Sequence, residues 1–229
     1  IAQSSKLIAL VGSENIFNGI QTSANDIYIF IPTKEDAKHY YFSKKGVDYK
    51  IEKAITKPYF QTSSGEDNLY TYKKGIDVIP LTEIQMKYPL AFGYLQKHKA
   101  NLNNPKRDIK PEPTTANEWH RFGRQQGLSI SDKKEKIILG VLSSGDKYAI
   151  DNYGTLFTSG GTAGYCAITM PDNFDYSTYY IQAILNSKYV EWFVILTGEV
   201  FRGSYFARGT KVLNNLPIRI IDFANATEK

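Results

Sequence analysis

The sequence predicts an α+β fold, with mixed or antiparallel β-sheets and two long amphipathic helices. Two observations carry that class. Apolar residues recur at helical spacing along Ile84–Leu102 and again along Ile181–Leu196, and each stretch is long enough to bury one face. Elsewhere the chain is cut into short runs rich in β-branched and aromatic residues, such as Ile27–Ile31, Lys136–Leu142 and Tyr165–Met170, separated by Gly, Pro and Asn turns. No apolar run approaches the ~20 residues of a membrane-spanning helix.

The elements follow in order. Ile1–Gly12 is apolar-rich and compatible with helix or strand. Gly19–Asp26 is a polar turn leading into a strand, Ile27–Ile31, which Pro32 ends. Tyr40-Tyr41-Phe42 followed by Lys44-Lys45-Gly46 predicts a hairpin turning at Ser43–Gly46. A short helix near Ile51–Thr56, a polar loop Gln61–Asn68 and strands at Leu69–Tyr72 and Val78–Pro80 come next. Thr82 caps the first long helix, which carries Ile84, Tyr88, Phe92, Leu95 and Leu102 to Asn103, with Pro89 suited to a first helical turn. The connector Asn104–Thr115 holds Pro105, Pro111 and Pro113. It divides the chain into 1–104 and 105–229, or bends one continuous domain.

Beyond the connector, Trp119 and Phe122 are expected to pack inward. Strands follow at Lys136–Leu142, Tyr148–Asp151, Thr155–Phe157 and Tyr165–Met170. The second long helix starts from Asp175 or Ser177. It presents Ile181, Ile184, Leu185, Tyr189, Trp192, Phe193 and Leu196 on one face and stops at Gly198. A glycine- and arginine-bearing loop, Glu199–Thr210, precedes one helical turn at Lys211–Asn215 and an extended step, Leu216-Pro217-Ile218. Asp222–Lys229 reads as a frayed tail.

Composition narrows the function classes. Of 229 residues, 28 are Lys or Arg and 23 Asp or Glu, a net charge of +5 that favours a polyanionic partner. Cations gather at Lys97, Lys99, Lys106, Arg107 and Lys110 against Asp108 alone. The single cysteine, Cys166, lies in an apolar run and is expected to be buried; no internal disulfide is possible, and His39, His98 and His120 are not spaced as zinc ligands. These features fit a reducing cytoplasm, and a start at Ile1 without Met leads us to expect a fragment of something longer. The glycine loops Ser143–Asp146 and Ser159–Gly164 lack a P-loop Gly-Lys-Ser/Thr, and no Pro-Pro-aromatic methyltransferase site occurs. The carboxylates of Asp132–Lys136 lie in a solvated charge run rather than a nuclease cluster.

The run Ile184-Leu185-Asn186-Ser187-Lys188, then Arg202-Gly203-Ser204-Tyr205-Phe206, then Leu213 with Leu216-Pro217-Ile218, resembles the C-terminal specificity region of TaqI-like adenine DNA methyltransferases and of fused Type IIG restriction–modification enzymes. Gly19–Asn25 is similar to that family's G-I-x-T-G-x-N stretch, with Ser23 where its second glycine stands, so a less permissive backbone or a different turn is expected. Lys57-Pro58-Tyr59 resembles its K-P-Y step, Tyr88-Pro89 with Tyr94-Leu95 its helix start, and Trp119–Arg124 its W-x-x-[LF]-G-R element. The resemblance spans roughly residues 16 to 220 and implies a target recognition domain. Its partners would be double-stranded DNA and the catalytic methyltransferase domain of a parent chain, which would bind S-adenosylmethionine; the fragment itself would be non-catalytic.

A DNA reader needs Lys, Arg and hydroxyl donors on phosphates, and Arg, Gln or Asn on base edges. The expected base contacts are Arg124, Gln125, Gln126, Arg202 and Tyr205. The expected phosphate contacts are Lys44, Lys45, Lys106, Arg107, Ser204 and Arg208. Two rivals remain. A Type I specificity subunit would need a long coiled-coil spacer, and no such heptad run is visible. A stand-alone enzyme or ligand-binding module would need the Tyr-rich loops to converge on one deep pocket.

Overall fold

Burial of apolar side chains divides the chain into two cores, each assembled from discontinuous segments. One unit comprises Ile1–Gly19, Lys133–Gly154 and Ser159–Lys229; the other comprises Ile20–Asp132 with Thr155–Thr158. The computed structural model describes residues 3–60, 66–73, 75–113, 115–130, 133–143, 148–159, 164–222 and 224–225, with the side chains of Glu66 and Arg202 left out. Most of both glycine loops and most of the expected frayed tail lie outside the described residues. The fold is α+β, as predicted.

In the first unit a four-stranded antiparallel sheet runs Ala149–Asp151, Lys136–Gly140, Tyr165–Ile168, Ile16–Asn18. Its Ile137, Leu139, Cys166 and Ile168 pack on Ile181, Leu185, Val190 and Val194. Burial pushes the Cys166 thiol up to about 12, so it stays protonated. The residues Ser4–Lys6 pair antiparallel with Pro217–Arg219, the predicted extended step, so the start and end of this chain share one core. Leu142–Ser143, Tyr205–Ala207 and Val200–Arg202 form a second, three-stranded antiparallel sheet.

The second long helix is two helices, Thr178–Leu185 and Lys188–Thr197. Ser177 caps the first, accepting from Tyr180 N at 3.1 Å. Asn186 ends it, because its side-chain amide is taken by the backbone just before the Ala149–Asp151 strand: Oδ1 accepts from Tyr148 N at 3.0 Å and Nδ2 donates to Tyr148 O at 3.0 Å. Ser187 then caps the second helix. Restarting the helix resets its phase. Val190 and Val194 face the core, while Tyr189, Trp192 and Leu196, expected inside, are exposed.

In the second unit a four-stranded sheet runs Leu156–Phe157, Thr56–Phe60, Glu66–Leu69, Ile29–Phe30, parallel only at its first pair. A three-stranded antiparallel sheet joins Lys34–Glu35, His39–Lys44 and Val47–Glu52. The predicted hairpin turns at Lys45 and Gly46, with φ of 51° and 76°, the backbone a two-residue turn requires. The expected strand at Ile27–Ile31 is only Ile29–Phe30, since Asn25–Tyr28 forms a helical turn. The first long helix is also broken, into Leu81–Lys87, Pro89–Lys97 and Lys99–Leu102. Pro89 forces the first break, and Glu52 supplies the missing acceptor: its carboxylate takes Leu90 N and Ala91 N at 2.8 and 2.9 Å.

Trp119, Phe122 and Leu128 are buried in this second core with Tyr28, Tyr70, Tyr94 and Leu102. The residues just past 104 therefore pack with those before it, and the proline-rich connector is not a boundary between the units.

Two stability measurements probe these cores. Lys136 is buried and pairs with Asp151 at 2.8 Å. Asp151→Ala strands that cation and is expected to cost about 3–5 kcal/mol in urea unfolding, whereas Lys136→Met with Asp151→Leu recovers most of the loss. Asp67 is pushed up to about 6 by burial, reinforced by the Glu35 carboxylate and opposed by Lys53. Its folded form favours the proton, so its contribution is present below the unfolded value of 3.8 and lost as pH rises through about 6. Asp67→Asn should therefore raise the thermal midpoint at pH 7 and flatten its decline between those values.

Candidate nucleic-acid interface

In the second unit, two of the motifs meet. Ser23 itself adopts the left-handed backbone, φ 55°, that the family's glycine would take without strain. Its hydroxyl donates to Asp108 O at 3.0 Å. The turn then binds the W-x-x-F-G-R element through its backbone: Gly123 N donates to Thr22 O at 2.9 Å and Arg124 N to Gln21 O at 3.0 Å. Gly123 is obligatory at this approach, since a Cβ there would lie 1.7 Å from Ser23 Oγ and 2.7 Å from Asp108 O. Lys110 N closes the arrangement on Gly123 O at 2.8 Å.

The loop after this contact carries the predicted base-reading residues. Arg124 is held by the Asp108 carboxylate, which the guanidinium keeps below the usual carboxylate range. Arg124 also donates to Asp108 O at 3.2 Å and Gly123 O at 3.1 Å, and remains partly exposed. Gln125 is half-buried and Gln126 exposed, ahead of Gly127 at φ 71°. Lys106 is exposed two residues before Asp108. Lys45 is exposed at the hairpin tip. That hairpin is moored to the Asn25–Tyr28 turn, because Lys44 Nζ donates to the carbonyls of Asp26 and Ile29, both at 2.5 Å. Arg124, Gln125 and Gln126 thus follow directly from a backbone-locked junction, and Lys106 and Lys45 are exposed in the same unit. Asp108, which the sequence presented only as a charge offset, orients Arg124; no signal in the sequence pointed to it.

Three of the expected phosphate ligands are spent inside the fold. Arg107 donates to Leu102 O at 3.1 Å, Trp119 O at 2.9 Å, Thr22 O at 2.8 Å and to Arg121 O, so its guanidinium is a backbone brace rather than a phosphate contact. Lys44 caps the carbonyls of the 25–28 turn, and burial lowers its ammonium to about 8. Arg208, in the first unit, is 1% exposed and pairs with Glu191 at 2.6 Å; a phosphate cannot reach it. In that unit Ser204 is exposed beside Gly203, whose φ is 60°, and Tyr205 is half-exposed. The side chain of Arg202 lies outside the described residues.

Among the described residues no group of three or more His, Cys, Asp or Glu is placed to hold a metal ion, and no helix is long and apolar enough to cross a membrane.

The family model of the TaqI-like C-terminal specificity domain matches residues 71–218, and the chain belongs to that family. It is also 47% identical over 245 residues to "Type II restriction enzyme and methyltransferase RM.Eco57I" of Escherichia coli, a match covering 100% of this chain and 24% of that relative. The chain thus spans about a quarter of the length of the relative it matches.

Replacing the internal arginines tests their structural role. Arg208→Ala leaves Glu191 without its buried partner and is expected to cost roughly 3 kcal/mol in equilibrium unfolding. Arg107→Ala should cost a similar amount, because four carbonyls lose their donor. Lys45→Ala and Lys106→Ala, both at exposed positions, should shift stability by less than about 0.5 kcal/mol.

Proposed function

We propose that this chain selects a sequence on double-stranded DNA as the recognition part of a longer adenine-specific restriction–modification polypeptide, and carries out no chemistry itself. One observation supports the reading above the others. Arg124, Gln125 and Gln126, the side-chain types that pair bidentately with guanine and adenine edges, occupy one loop whose backbone is fixed by Gln21, Thr22 and Gly123. Fixing that backbone in advance lowers the ordering cost of binding.

Lys45 and Lys106 are the exposed cations proposed for phosphate contact on the same unit as this loop, and Ser204 and Tyr205, with Arg202, are the corresponding candidates on the first unit. Family membership and the likeness to RM.Eco57I, a restriction enzyme and methyltransferase, support placing methyl transfer, and S-adenosylmethionine with it, in a separate catalytic domain of the parent chain. A cytoplasmic location belongs to the same proposal.

The test is duplex binding by this chain as salt is varied, against a library of target sequences. Affinity should fall steeply with salt, and Lys45→Ala or Lys106→Ala should each reduce the slope of log affinity against log salt by about 1, for all sequences alike. Gln125→Ala or Gln126→Ala should cost about 1–3 kcal/mol on the preferred site and relax the choice at one base pair. A salt slope untouched by both lysine variants would remove this surface from the reading.

A further inference from the structure

The Lys188–Thr197 helix has two apolar faces and one core. Val190 and Val194 are buried, but Tyr189, Trp192, Ile195 and Leu196 are 54, 57, 47 and 62% exposed. The strand that follows adds Val200 and Phe201 at 65 and 60%. The Tyr189 and Trp192 rings stack with centroids 6.4 Å apart. Alongside lies a hollow of ≈ 380 Å³ lined by Phe193, Val141, Ala207 and Val212. An exposed ion pair, Glu199–Lys211 at 3.2 Å, stands at its rim.

The six side chains themselves carry no charge, with Lys188 exposed at the helix start and Lys211 engaged by Glu199 at the hollow, so the stripe offers a phosphate backbone little along its length. Six large side chains, each about half exposed, present on the order of 500–600 Å² of apolar surface. That is the upper end of the largest patch an ordinary monomer exposes, a size that often marks a functional surface. It is also below the roughly 800 Å² per partner on which independent copies associate stably. A patch of this size holds well when its partner is tethered in the same chain, where effective concentration replaces area.

We infer that this face docks the domain against the catalytic part of its own longer polypeptide, an apolar projection from that part filling the hollow. The inference rests on the proposed function for the existence of that part, and on the relative's length, roughly three quarters of which lies beyond the match. A recognition module must hold a fixed orientation to the domain that acts on the site it reads; a largely apolar face supplies that fixture.

Hydroxyl-radical footprinting of the complete natural polypeptide, compared with the 229-residue chain, tests the assignment. Oxidation of Trp192 and Leu196 should fall severalfold in the long polypeptide, with buried Trp119 as an unchanged control. Equal oxidation in both overturns the inference, as does protection of Trp192 in the isolated chain by self-association or by added duplex. Trp192→Gln with Leu196→Gln should leave the melting temperature and duplex affinity of the isolated chain unchanged while methyl transfer by the long polypeptide drops severalfold; undiminished transfer overturns it. Failure of the unsubstituted chain to bind duplex would sink the recognition reading, whereas equal footprints sink the docking face alone.

Discussion

The second unit depends on the Arg107 guanidinium. Its planar fork reaches carbonyls of Leu102, Thr22, Trp119 and Arg121, which belong to three separate stretches of chain. A lysine could not do this, since one ammonium cannot present parallel donors across a plane. The carbon of the same guanidinium stands 5.7 Å from the centroid of the Tyr28 ring, and the Tyr28 hydroxyl in turn donates to His120 O at 2.8 Å. Helix end, opening turn and the Trp119–Arg124 element are thereby fixed together, and Gly123 sets how closely they approach. The loop that follows inherits its position from this junction.

The first unit uses a similar device. Arg208 is fully buried against Glu191 on the Lys188–Thr197 helix, and Arg208 N donates to Val141 O at 2.7 Å. The cations of the basic-looking segments are therefore of two kinds. Some hold carbonyls or carboxylates within the fold; others, such as Lys45 and Lys106, remain at the surface. A net charge of +5 says nothing about that division.

Both long helices illustrate the limit of periodicity. The apolar spacing in Ile84–Leu102 and Ile181–Leu196 was legible because helices do form there. The breaks were legible only as weak signals, Pro89 and the Asn186-Ser187 pair. What turned the second signal into a break was Tyr148, a residue far away in sequence, whose backbone offers Asn186 both a donor and an acceptor. Once the helix restarts, the expected inner face of Tyr189, Trp192 and Leu196 becomes the outer one.

The sequence alone determined the α+β class, the hairpin at Lys45-Gly46, the inward Trp119 and Phe122, the buried Cys166 and, through motif resemblance, the family. Those are properties of local backbone preference, hydrophobic pattern and short-range spacing. Tertiary structure alone decided that Trp119, Phe122 and Leu128 pack with the residues before the connector, that Ser23 carries the left-handed turn, and that Arg107, Arg208 and Lys44 face inward. The reason is common to all of them. A guanidinium or ammonium stays at the surface unless distant backbone carbonyls or a carboxylate converge to receive it, and convergence of distant segments is not written in any one of them.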